Sequence, residues 1–127
     1  MGMYTEFHFN SELIESISND TIQVLRYMLH EIDSISEIPT HSLFDTDRWR
    51  FMLVTDSYYF DADTHSSLRH DYLGGWYLCI RCNLKNYCSE IEKFIDWIKP
   101  YLYKQPGDFL GFYRYEETEE PTLIYMS

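Results

Sequence analysis

The chain has 127 residues, 45% of them apolar and 24% charged, a balance that excludes a disordered protein and suits a single domain over residues 1–127 with its own core. Acidic residues outnumber basic ones 21 to 10, a net charge of −11, which argues against direct binding to DNA, RNA or anionic membranes. The same charge favours a basic protein partner drawn in by long-range attraction, although an acidic surface also serves solubility alone.

No apolar run approaches the roughly 18 residues of a membrane-spanning helix. The start, MGMYTEFHFN, lacks a basic stretch followed by an apolar one, so the expected location is cytoplasmic. Met1-Gly2 ahead of a second Met looks like a cloning remnant, with Met3 the natural start. Three cysteines in that setting do not imply a disulfide framework.

The first element expected is a strand over Tyr4 to Phe9, with Thr5, Phe7 and Phe9 on one face. NDTIQVLRYMLHEI predicts a helix near 20–33, capped by Asp20 with Gln23 closing a capping box. Ile22, Leu25, Met28, Leu29 and Ile32 share its apolar face. Residues 33–47 show weak periodicity and read as a loop. RWRFMLVTD reads as a strand with Trp49, Phe51 and Leu53 on one side, and SYYFDADTH as a further extended segment. SSLRHDYLGGWYLCIRCNL reads as a hairpin, because Gly74-Gly75 supplies the positive φ angles of a tight turn. A second helix is expected near 89–102, with Ser89 as cap and Glu92 closing a capping box. Ile91, Phe94, Ile95, Ile98 and Leu102 keep its spacing, and Pro100 must kink or end it. DFLGFYRY and PTLIYM read as the last two strands, joined across Glu116, Glu117, Glu119 and Glu120.

The element order is strand, helix, strand, strand, given twice. Two such βαββ units predict an α+β domain: a largely antiparallel sheet of five or six strands with two helices packed on one face. The other face is then partly open. Aromatics make up 18% of the chain, including 12 tyrosines, so an open aromatic face is a candidate binding platform. Ordinary strand-forming tyrosines would give the same composition.

Catalytic chemistry finds little support. CIRC has zinc-finger spacing, but in a strand Cys79 and Cys82 point to opposite faces, and only the single Cys88 follows. Asp61, Asp63 and His65 would share one side of a strand and could meet a divalent metal; charges on an exposed edge that discourage aggregation are the simpler reading. His70-Asp71 could pair a base with its orienter, yet no nucleophile accompanies them. No nucleophile elbow, phosphate loop or dinucleotide fingerprint occurs. The expectation is a protein that is not an enzyme, with no cofactor and no bound metal.

The remaining signal is acid beside aromatic. Asp56, Tyr58, Tyr59, Asp61 and Asp63 in the middle, and Tyr113, Tyr115, Glu116, Glu117, Glu119 and Glu120 near the end, form the candidate partner-binding set. In such a set carboxylates raise the rate of encounter and tyrosines supply buried anchors.

The stretch WYLCIRCNLKNYCSEIEKFIDWIKPYLYKQPGDFLGFYRYEETEE, residues 76–120, resembles bacterial immunity proteins of polymorphic toxin systems. The shared pattern is a strand (Trp76 to Asn83), an acidic amphipathic helix (Ile91 to Leu102), a turn at Pro106-Gly107, and a strand from Gly111 to Glu117. That resemblance implies an acidic stoichiometric inhibitor of a cognate, often basic, nuclease-type toxin. An inhibitor of a host defence nuclease such as a CRISPR effector, carried by a phage or mobile element and imitating a nucleic-acid backbone, is the alternative within this class. The element order also looks like the paired strand-helix-strand-strand modules of gyrase-inhibitor-like small-molecule binders, in which case Trp76, Tyr113 or Tyr115 would line a pocket. Either a monomer or a homodimer fits.

Overall fold

The computed structural model describes residues 3–57, 60 and 63–127. It is an α+β domain with one five-stranded, wholly antiparallel sheet and two helices. In chain order these are β1 (Thr5–Leu13), α1 (Asn19–Met28), β2 (Ser67–His70), β3 (Trp76–Leu84), α2 (Glu90–Ile98), β4 (Phe109–Tyr115) and β5 (Thr122–Tyr125). Strands lie in the order β2-β3-β1-β4-β5, so the long β1 and β3 form the middle of the sheet. The strand β3 closes the first strand-helix-strand-strand run and also opens the second, which is why five strands serve.

Alternation in β1 decides the two faces. Thr5, Phe7, Phe9, Ser11 and Leu13 are buried, whereas Glu6, His8, Asn10 and Glu12 are not. Cross-strand register carries this outward: Phe7 faces Cys82 and Tyr113, and Phe9 faces Ile80 and Gly111. The inner face joins Ile22, Leu25 and Met28 of α1 and Ile91, Phe94 and Ile98 of α2 in one core. Phe94 meets Phe7 and Phe9 edge-on, with ring centroids 6.0 and 6.1 Å away. Gly111 lets β4 approach β1, because a Cβ there would run into the His8 carbonyl.

Several local expectations are corrected. The segment RWRFMLVTD is a run of turns, with Phe51 N–H bonded to the Arg48 carbonyl and Val54 N–H to that of Phe51. Trp49, Met52 and Leu53 are its buried side chains and Phe51 is exposed, a turn-like rather than alternating pattern. Packing on the core overrides the β-propensity of this stretch. The next segment, SYYFDADTH, forms no strand among its described residues. Its last residue lies beside β3, where His65 N–H bonds the Arg81 carbonyl; Thr55, ahead of the segment, accepts from Asn83 N–H. Tyr58, Tyr59 and Asp61 lie outside the described residues.

The caps differ too. Ser18, not Asp20, caps α1, its hydroxyl accepting from Thr21 N–H at 3.2 Å, and Gln23 bonds Asn19 instead of closing a box. The helix stops at Met28, because His30 adopts a left-handed φ of 62°. Ser89 is also left-handed and makes no side-chain cap bond. Asn86 does that work for α2: its Oδ1 accepts from Ile91 N–H at 2.8 Å and its Nδ2 donates to Glu92 at 2.7 Å. Pro100 ends α2 in a short 3-10 turn, Lys99–Tyr101. Among the described residues no helix is long and apolar enough to cross a membrane.

Candidate functional site

The two acidic segments meet at one end of the sheet, and Arg114 joins them. It projects from β4 onto the face opposite the helices, where its cross-strand neighbour is Glu6. Its Nε donates to Glu6 Oε1 at 3.0 Å. Its Nη1 donates to the Thr118 carbonyl at 3.0 Å, inside the turn between β4 and β5. The ring of buried Phe60, from the middle segment, lies 5.1 Å from its guanidinium carbon. The middle segment is fixed further by Arg81, whose Nε donates to the Asp63 carbonyl at 2.7 Å.

Within the terminal turn the four glutamates divide. Glu116 is structural: its N–H bonds the Tyr4 carbonyl and its Oε1 accepts from Tyr4 N–H, which ties the turn to the start of β1. Glu117, Glu119 and Glu120 are exposed and have no ion pair or hydrogen bond among the described residues. In the middle segment Asp56 also has a structural task, because its Oδ1 accepts from Ser57 N–H and from Asn83 Nδ2. The Asp63 side chain is exposed.

Tyr113 and Tyr115 sit on the helix side of β4, not on the open face. They line a cavity of about 260 Å³ between the glutamate turn and the start of α2, together with Asn86, Tyr87, Glu120 and Thr122. Burial raises the Tyr113 pKa, and the Glu92 carboxylate raises it further, partly offset by a hydrogen bond with Thr122. Tyr115 is raised by partial burial and then by the carboxylates of Glu117 and Glu116. Both phenols therefore stand in negative fields. Trp76 lines a separate cavity with Leu13, Ile14 and Tyr103.

Other candidate chemistry separates. Cys79 is half-buried on the open face and Cys82 is buried on the helix side, where burial raises its thiol pKa. Asp63 and His65 are exposed, and no group of three or more His, Cys, Asp or Glu side chains converges among the described residues. The open face carries aromatic and apolar groups that strand patterning did not single out, namely Phe109, Leu123 and Tyr125 near the β5 edge. Sequence reasoning also missed Arg114, Glu6, Phe60 and Tyr87. Alternation along β4 places Arg114 opposite the core, but its partners come from 54 and 108 positions away. Comparison with protein-family models, curated proteins and solved structures finds no match.

Proposed function

We propose that this protein is an acidic stoichiometric inhibitor that binds a basic protein partner, in its specific form an immunity protein neutralising a cognate nuclease-type toxin. The observation that carries the reading is the division of charge in the terminal turn. Glu117, Glu119 and Glu120 are exposed and unpaired among the described residues, while the base beside them, Arg114, is held by Glu6 and the Thr118 carbonyl. Three free carboxylates on a turn held by other contacts project a fixed negative field. Such a field speeds encounter with a positive surface more than it adds affinity. Exposed Asp63, on the segment joined through Arg114, extends the field along the same end of the sheet.

A pull-down from the native host, followed by mass spectrometry, identifies the partner: a toxin supports the immunity role, and a host defence nuclease supports the backbone-mimic role. Association of that partner is then timed with the parent and with a variant carrying Glu117, Glu119 and Glu120 changed to Gln. The variant is expected to associate markedly more slowly at low salt and to lose most of its salt dependence. Equal association rates at low ionic strength would refute the reading.

A further inference from the structure

We propose that the cavity between the glutamate turn and the start of α2 is a receptor for a single arginine side chain presented by the partner. The proposal rests on the docking reading above and specifies its chemistry. Three tyrosines, Tyr87, Tyr113 and Tyr115, wall the cavity, and Glu120 stands at its lining. At about 260 Å³ it lies below the roughly 300–1,000 Å³ typical of drug-sized ligand sites, which suits one long side chain better than a cofactor.

Carboxylates predominate around it. Glu120 stands in the lining itself, Glu92 acts on Tyr113, and Glu117 and Glu116 act on Tyr115. The one basic residue in the lining, Arg114, already has its guanidinium engaged by Glu6 and Thr118. A phosphate or carboxylate ligand would meet repulsion there. A cation would meet the negative faces of aromatic rings with carboxylates beyond them. Arginine fits better than a compact ammonium, since its planar group can stack on a phenol ring while its N–H fork meets a carboxylate. Outside the cavity the Tyr87 ring already carries a guanidinium of this chain, the Arg48 guanidinium carbon lying 5.3 Å from its centroid.

The test uses the free protein and two small probes, N-acetyl-arginine methylamide and its neutral counterpart N-acetyl-citrulline methylamide. Each is titrated while the backbone amide resonances of residues 86–87 and 113–122 are followed by NMR. The arginine probe should bind about three- to thirtyfold tighter than the citrulline probe, the range for a cation on an aromatic wall. Glu120→Gln, an exposed change that leaves the fold intact, should remove much of that preference, and Tyr113→Leu should weaken the arginine probe further. Equal binding of the two probes, or shifts confined to other parts of the chain, overturns the proposal. If Tyr113→Leu fails to fold, the parent and Glu120→Gln titrations decide alone. No partner is needed, so failure here is distinct from failure of the docking reading, which is judged on the salt dependence of partner association.

Discussion

Replacing Arg114 with Leu should do more damage than the loss of one surface ion pair, because three separate contacts converge on it. The Arg114 and Glu6 side chains are only 27% and 13% exposed, so their 3.0 Å bond is poorly replaced by water. A hydrogen bond to a charged group in such a place is worth about 1.5–3 kcal/mol. Packing of the guanidinium on Phe60 adds about 0.5–1 kcal/mol. The Thr118 carbonyl lies in an exposed turn and can turn to solvent, so its bond adds little to the sum. His8 Nε2, 3.7 Å from Glu6 Oε2, pairs with that carboxylate only when protonated and adds little near neutral pH. The expected loss is therefore about 2–4 kcal/mol, measured by urea denaturation. Amide exchange should rise specifically over residues 116–120, whose link to the sheet is cut. Adding Glu6→Gln to the Arg114→Leu protein should recover at least about 1 kcal/mol, since an unpaired carboxylate is then removed. A loss below about 1 kcal/mol with unchanged exchange over the turn would refute the idea that Arg114 organises this end of the sheet.

Two further outcomes follow from the same architecture. Gly111→Ala should cost about 3 kcal/mol or more, because the added methyl meets the His8 carbonyl, which is backbone and cannot swing away; a thermal or urea midpoint close to the parent's would show that β1 and β4 are less tightly apposed. His8 has its pKa held below the ordinary 6.5 by burial, with Glu6 opposing the shift and Arg81 assisting it. The unfolded chain therefore takes up this proton first, and the stability tied to the neutral ring is present above pH 6.5 and lost as pH falls towards the native value. Against His8→Gln, the parent should lose stability on going from about pH 7 to pH 5, and parallel curves for the two proteins would refute the assignment.

What was legible in the sequence was the part governed by local periodicity. Alternation gave the first half of β1, and Gly74, with its φ of 103°, marked the hairpin between β2 and β3, although Gly75 has no positive φ and the turn spans Asp71 to Gly75. Helical spacing gave most of the buried face of each helix, although Ile32 and Leu102 lie beyond the helix ends and the buried Val24 and Trp97 were not expected. What was not legible was set at a distance. Trp49, Met52 and Leu53 have the composition of a strand, but the sheet edge beside them is used by Thr55 and His65 against β3, and the core takes their side chains from turns. The capping role of Asn86 was hidden because the residue in the formal cap position, Ser89, is left-handed. At the candidate site the acidic turn itself could be read, but its division into one structural and three free glutamates could not. That division depends on the Tyr4 backbone and the Arg114 side chain, neither of which local periodicity links to the turn.

The cost of crowding acids into this turn is smaller than their number suggests, and the reason bears on function. In water, two charges about 7 Å apart repel by only about 0.6 kcal/mol, and salt reduces this further. The turn does not rely on the charges of Glu117, Glu119 and Glu120 for its shape. It is held by Glu116 N–H on the Tyr4 carbonyl, by Thr118 N–H on the Tyr115 carbonyl, and by Arg114 on the Thr118 carbonyl. Glu117, Glu119 and Glu120 contribute to none of these. The fold thus fixes where three carboxylates stand without spending their charge, so the field exists before any partner arrives and need not be assembled on binding. Neutralising these residues should therefore leave stability equal or slightly higher while slowing association. A structural turn held by its own carboxylates would show the reverse order of effects.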